Sequence, residues 1–324
     1  MVKLYKNVDV INTALIILSL GIACIIPFEL FLLAYGVLGP LHYLTEISWL
    51  RDRNYFLKKP HDIKIIFFLI ILILFGSPTL LPFEELLFFQ QYSGLTIYLS
   101  LSFALIFVLT DSWQKRIDYI LLALIGSIIL MFPIGIIIFV GLLPTLIHVY
   151  LFTGLFMLSG VLKSKNIWGL ISVIALLLSG ILCFLIPSNI SITPGIWAIE
   201  SYKNTFGSLS ELILHDILNL KNFDIFNDPL SIKVGRFIAF AYTYHYLNWF
   251  SKTSVINWHK VSKIRMTYII SMWLIFVGFY FYDYVLGFKL LFILSLSHVI
   301  LEFPLNSLSF LSFSKYIKKN TRMN

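Results

Sequence analysis

The chain has 324 residues, of which 59% are hydrophobic and only 12% charged, with a mean hydropathy of +0.90. A net charge of +8 and a pI of 9.3 would suggest nucleic acid in a soluble protein, but the basic residues here stand in short connections between apolar runs. Those runs reach the roughly 20 residues needed to cross a bilayer as helix, so a soluble domain and a nucleic-acid partner are excluded in favour of an all-α, polytopic membrane helix bundle.

In chain order the apolar runs predict about ten transmembrane spans, at about 9–28, 30–50, 63–82, 93–112, 117–136, 138–162, 168–187, 231–251, 267–286 and 288–312, forming a single transmembrane domain over 1–324. Arg51, Arg53, Lys58 and Lys59 follow the second span, Lys115 and Arg116 the fourth, and Lys163 and Lys165 the sixth. Lys252, Lys260, Lys263 and Arg265 follow the eighth, and Lys315, Lys318, Lys319 and Arg322 the tenth. Positive ends face the cytoplasm, which puts both termini of this multi-pass protein inside. The opposite connections are acidic or neutral, as in Phe83-Glu84-Glu85.

The longest of these, 188–229, reads as an extracytoplasmic segment with an interfacial helix. Ser208-Leu-Ser-Glu211 fits a capping box, and Leu209, Leu212, Ile213, Ile217 and Leu220 recur at helical spacing opposite Glu211, His215 and Asn219. His215 beside Asp216 reads as a solvated surface pair, as do His61 and His259 among charged cytoplasmic residues. Asn189-Ile-Ser191 matches a glycosylation acceptor by pattern alone. No cleavable signal peptide is expected. Cys24 and Cys183 fall within spans and read as small packing residues. Cys-x-x-Cys pairs, glycine-rich phosphate loops, Gly-x-Ser-x-Gly and His-Glu-x-x-His are missing from the sequence.

What remains is a set of ionisable residues inside apolar spans, where a polar group is expensive unless it is paired or faces a cavity. His42, His148, His245 and His298 fall one each in the four even-numbered spans 30–50, 138–162, 231–251 and 288–312, all predicted to run from outside to inside. At a rise of about 1.5 Å per residue, His42 and His245 lie roughly 10 Å from the basic inner ends and His148 and His298 roughly 20 Å, so they can share one layer. Two are followed one turn later by a carboxylate, in His42-Tyr-Leu-Thr-Glu46 and His298-Val-Ile-Leu-Glu302. Residues at i and i+4 project from one helix face, so each pair can chelate a metal, or the glutamate can orient the imidazole. A proton relay uses the same residue types.

Imidazole with carboxylate suits iron, zinc or manganese and argues against copper(I). Nothing near the histidines marks a hydrolytic substrate. A site at mid-bilayer meets lipophilic substrates and dioxygen, which points to ferrous iron (Fe2+) and oxygen chemistry on a lipid or isoprenoid.

Gly39-Pro40-Leu41-His42-Tyr-Leu-Thr-Glu46 resembles the Gly-x-Pro-His-Gly-x-x-Asp element of the Brp/Blh family of integral-membrane β-carotene 15,15'-dioxygenases, with the proline one place earlier, tyrosine for glycine and glutamate for aspartate. Leu142-Leu-Pro-Thr-Leu-Ile-His148 with Gly160-Val-Leu-Lys-Ser164 is similar to that family's middle histidine helix. Tyr242-Thr-Tyr-His245-Tyr-Leu-Asn-Trp-Phe-Ser-Lys252 and Ser297-His298-Val-Ile-Leu-Glu302-Phe-Pro304 resemble its later ones, although Glu302 stands where the family commonly places a further histidine. The resemblance implies an iron centre ligated by His42, His148, His245 and His298 that cleaves the central double bond of a carotenoid with O2 to give retinal. Glu46 and Glu302 are the candidate catalytic carboxylates.

Tyr43, Tyr242, Tyr244, Tyr246, Trp249 and Phe250 near the histidines either line a channel for a long apolar substrate or form interface belts and packing. Asn248 and Asn306, amides at mid-helix, need polar partners. Pro40, Pro144 and Pro304 free carbonyls beside the histidines and can open a pocket there. The expectation is therefore an iron oxygenase embedded in the lipid bilayer. The alternative is a proton-coupled transporter or membrane-complex subunit using the same His and Glu residues without a metal.

Overall fold

A computed structural model of the chain describes residues 2–53, 57, 59–77, 80–81 and 83–321. Lys58 and Arg322, two of the basic residues used to orient the spans, lie outside the described residues, as do positions 78, 79 and 82 at the end of the expected span 63–82. Every regular element among the described residues is helical. That is what an apolar environment enforces, since each backbone N–H must find its partner within its own segment.

Proline fixes many of the boundaries. Helices open with proline in the first turn at Pro27, Pro60, Pro133 and Pro229, where the missing N–H costs nothing. Asn166 and Ser262 cap two more, accepting from the backbone N–H groups of Trp168 and Arg265, each at 3.3 Å. Asp283, extended at φ −152°, ends one helix, and its carboxylate accepts from Leu286 N at 2.9 Å to start the next.

Six described helices are long and apolar enough to cross a membrane: Asn7–Ile25, Pro27–Arg51, Pro133–Leu162, Ile167–Leu185, Lys263–Tyr282 and Tyr284–Phe310. The pair Glu84–Gln91 and Ser93–Leu109, bent by 48°, makes a seventh if taken as one span. Four of the ten expected spans fall short for separate reasons. Pro60–Phe75 has 16 residues and stops at Gly76, and Ser93–Leu109 has 17. Trp113–Gly126 has 14, because the chain tightens over Ser127–Met131 and Phe132 is held extended before Pro133. Pro229–Ser251 has 23 residues but is too polar.

The chain divides into two compact units, Met1–Thr45 with Leu146–Phe288, and Glu46–Thr145 with Lys289–Asn324. In the first, Pro229–Ser251 packs against Val2–Ile25, Pro27–Leu33 and Ile167–Leu185. Val234, Ile238, Ala239, Phe240 and Ala241 are sealed from solvent on it. A helix enclosed by other helices need not be apolar all round. Arg236, also fully buried, donates from Nε to Ser191 Oγ at 2.9 Å, from Nη1 to Ile186 O at 2.8 Å, and from Nη2 to Pro187 O and Ser188 O at 2.8 and 3.1 Å. It thereby closes the C-terminal end of Ile167–Leu185.

The segment 188–229 of this unit contains the helices Ile196–Thr205 and Gly207–Glu211 and a π-wound turn, Leu212–Ile217. Ser208 does not cap: the short helix already begins at Gly207, without a side-chain cap. The wider π winding also shifts the buried face to include Leu214, which the expected helical spacing leaves out.

The second unit is built on Leu57, Ile66, Ile70, Ile73, Leu101, Ala104, Phe107 and Ala123, joined by Leu296 and Ile300 from the last helix. Arg116 and Asp62, 1% and 2% exposed, form a two-pronged ion pair with both N–O distances at 2.8 Å, and Arg116 Nε donates to Thr110 O at 2.9 Å. This pairing fixes the beginnings of Pro60–Phe75 and Trp113–Gly126.

Candidate metal centre

The first unit brings together three of the four expected histidines. His42 lies on the helical stretch Gly39–Arg51, directly after a π-wound turn at Ala34–Leu38. His148 lies within a π-wound run, Ile137–Phe152, that contains Pro144. His245 comes from the enclosed helix Pro229–Ser251. π turns gather at functional sites because they re-aim side chains that a regular helix would stack. All three imidazoles are buried. His42 Nε2 and His245 Nε2 are 3.1 Å apart, and the His245 ring lies 4.7 Å from that of His42 and 5.0 Å from that of His148, centroid to centroid.

The other nitrogen of His245 is held by Thr153, whose Oγ1 is 2.8 Å from Nδ1. With Nδ1–H donating to this hydroxyl, the Nε2 lone pair is left facing His42 Nε2. Metal-bound histidines are oriented in this way. Around His42 the rings of Tyr246, Trp249 and Tyr43 stand at 5.3, 5.5 and 5.7 Å. Trp249 Nε1 donates to Thr45 Oγ1 at 3.0 Å, and the Tyr43 and Tyr246 hydroxyls meet at 2.6 Å.

The His42 and His245 pair fits a metal. Donor atoms bound about 2.1 Å from one ion stand roughly 3.0–3.4 Å from each other, and the Nε2 separation lies in that range. Imidazoles are borderline-soft donors that suit iron or zinc.

The second unit gathers the other three expected residues. His298 Nε2 lies 3.3 Å from Glu46 Oε2 and 3.5 Å from Glu302 Oε2. His298 Nδ1 donates to the backbone carbonyl of Ser295 at 3.2 Å, which turns Nε2 toward the carboxylates. His298, Glu46 and Glu302 are 1%, 2% and 5% exposed. The i,i+4 relation of His298 and Glu302 is thus realised as a contact.

Thr153 and the Ser295 carbonyl are orienting groups that sequence reasoning did not single out. A hydroxyl five residues after His148 carries no motif, and a carbonyl carries no side-chain signal at all. Of the two amides that it did single out, Asn248 accepts from the Tyr244 hydroxyl at 3.4 Å. Asn306 is 2% exposed and makes no hydrogen bond among the described residues. Tyr242, Tyr244 and Tyr246 are buried within their unit, so their role is packing rather than an interface belt. His215 is 62% exposed and bound to Asp216 at 2.7 Å, and His61 is half exposed, 3.0 Å from Asp62. Cys24 and Cys183 are buried free thiols.

Comparison with protein-family profiles, with curated proteins and with solved structures finds no match for this chain.

Proposed function

We propose that the protein is a membrane-embedded non-haem iron oxygenase that acts on a lipophilic substrate, with His42, His148 and His245 as the core of its metal centre. The observation that carries this reading is the 3.1 Å approach of two imidazole nitrogens whose rings are buried and, for His245, oriented from behind by Thr153. Two neutral imidazoles meet this closely in apolar surroundings when one donates to the other or when a cation lies between them, and the third ring favours the cation.

Ferrous iron held there supplies dioxygen activation. The chain's own residues do the rest: Thr153 holds His245 Nδ1 and so orients the ring, while Tyr246, Trp249 and Tyr43 stand around His42 with apolar ring surface and exclude water. The substrate class proposed first is a carotenoid cleaved oxidatively to retinal, in keeping with the sequence resemblance; hydroxylation or desaturation of another lipid is the neighbouring reaction. In this reading all ten apolar stretches cross the bilayer with both termini cytoplasmic. Pro229–Ser251, long enough to do so, owes its polarity to being enclosed.

The test is elemental analysis of detergent-purified protein, together with expression in cells that accumulate β-carotene. Iron bound at a fixed ratio and lost in His148→Ala and His245→Ala, with retinal or another oxidised product formed only by the wild type, supports the proposal. A folded preparation that binds no metal, and moves protons across vesicles instead, overturns it.

A further inference from the structure

We propose that two hydrogen bonds between helices, Tyr43–Tyr246 and Thr45–Trp249, set the spacing of His42 and His245 and thereby the size of cation that the pair accepts. The inference rests on the metal-dependent reading above and names the positioning residues that make its site selective.

Neither imidazole is placed by its own helix alone. His42 lies on Gly39–Arg51 and His245 on Pro229–Ser251, and side chains from two helices keep a set distance only if the helices do. Residues beside both histidines tie these helices together. Tyr43 and Tyr246, each the residue after its histidine, join through their hydroxyls at 2.6 Å. Trp249, one turn beyond His245, donates from Nε1 to Oγ1 of Thr45, three residues beyond His42, at 3.0 Å. The order 42, 43, 45 thus meets 245, 246, 249, so the two helices run in the same direction here, and a slip in register would break both bonds at once.

The partners have little freedom. An indole N–H can only donate. The Thr45 hydroxyl gives its own proton to the backbone carbonyls of Leu41 and His42, at 2.7 and 3.1 Å, and so offers Trp249 a lone pair. The tyrosine pair is confined as well: a methyl group on Gly39 would stand 3.1 Å from the Tyr43 oxygen and 3.4 Å from the Tyr246 oxygen, so the glycine leaves room for the two to meet. All four side chains are buried. Phenylalanine and valine would fill similar space, so what the polar atoms add is a fixed direction and length.

The clamp holds the two Nε2 atoms 3.1 Å apart, which suits an ion with bonds of about 2.1 Å. A larger cation, with bonds of about 2.3–2.6 Å, would need them roughly 3.3 Å apart or more and would have to spread the helices.

The test compares zinc and cadmium, which share a charge and a filled d shell and differ in size, by chelator competition on the full chain purified in detergent. Tyr43→Phe, Tyr246→Phe, Thr45→Val and Trp249→Phe should each lower the zinc-over-cadmium affinity ratio by about 10-fold. Removing both members of one bonded pair should lower it no further than removing either, because the bond is already gone. Thr45→Ser, which keeps the hydroxyl, should restore the wild-type ratio. A merely structural role would lower thermal stability and leave the ratio where it was. Unchanged helical circular dichroism and a monodisperse elution profile show that each variant is folded.

A wild-type ratio in all four single variants, with zinc still bound and lost in His245→Ala, overturns this inference and leaves the proposed function standing. Losses that simply add within a pair would mean that the groups act separately, and overturn the clamp. Wild-type protein that binds neither ion overturns both the inference and the proposed function.

Discussion

Thr153→Val tests whether the hydroxyl behind His245 prepares that imidazole for metal. The substitution keeps the shape and removes one group, the Oγ1 that sits 2.8 Å from His245 Nδ1 in a place where Thr153 is 3% and His245 6% exposed. A neutral hydrogen bond contributes about 0.5–1.5 kcal/mol net, and a buried N–H left without an acceptor costs about 1–3 kcal/mol. A metal on Nε2 requires the proton on Nδ1, and in the variant that buried N–H has no acceptor, so the metal-bound form loses its support. At about 1.4 kcal/mol per tenfold, the loss in metal affinity comes to roughly 10- to 100-fold, the range found when groups that orient metal-bound histidines are removed. The assay is competition between the protein and a calibrated chelator for ferrous iron, or for cobalt(II) read by its absorption, with Thr153→Ser as the variant that keeps the hydroxyl. Affinity within twofold of wild type in Thr153→Val, alongside abolished binding in His245→Ala, refutes the reasoning.

Asp62→Asn should destabilise the second unit by about 3–5 kcal/mol, because it leaves the Arg116 guanidinium buried without its carboxylate; thermal unfolding in detergent measures this, and a shift no larger than that of a surface variant counts against it. Arg236→Lys should cost about 2–3 kcal/mol despite the retained charge, since one ammonium cannot serve Ser191 Oγ and the carbonyls of Ile186, Pro187 and Ser188 together; Arg236→Met should cost more in the same assay. In the segment 188–229, the Asn227 amide and then the Phe226 N–H hold Asp224 below the usual carboxylate range. A carboxylate with a lowered folded-state pKa stabilises above its unfolded value, and that contribution disappears as pH falls through the folded one. Amide exchange around 224–228 should therefore lose protection as pH drops below about 4, and Asp224→Asn should remove that dependence.

The fold class was legible because bilayer-length apolar runs leave few alternatives to helix. Ile167–Leu185 is close to its expected limits of 168–187, since a lipid-facing helix shows its apolarity in every turn. The boundary at Phe132–Pro133 was misplaced because the apolar character continues across the break, and only the geometry imposed before proline marks it. Likewise, the last helix begins at Tyr284, four residues before the expected 288, behind an N-cap signal at Asp283 hidden among tyrosines. For the site, all six expected residues are buried, and each has others of the set as neighbours within its own unit. Side-chain identity inside an apolar run is a strong signal because the environment makes it expensive. The orienting groups were not legible, because a threonine hydroxyl and a backbone carbonyl are inexpensive almost anywhere in a helix.

The polarity of Pro229–Ser251 and the π-wound runs beside His42 and around His148 have a common cause. A regular helix of purely apolar residues would pack either unit more simply, with every N–H bonded four residues back and no imidazole to accommodate. Instead, the helix that supplies His245 is enclosed on several sides and carries Arg236, Thr243 and Asn248 as further buried polar groups. The helices that supply His42 and His148 depart from regular winding at or just before those residues. Each departure sacrifices backbone regularity or apolar burial, and each lies where an imidazole is presented. Local structure that breaks its own rules at one set of buried residues supports the proposal that they are kept for function. Replacing His42, His148 and His245 together by Phe, Leu and Leu should accordingly raise thermal stability in detergent while abolishing metal binding. A loss of stability in that variant would mean that the imidazoles are there to hold the fold, and the metal centre would lose its main support.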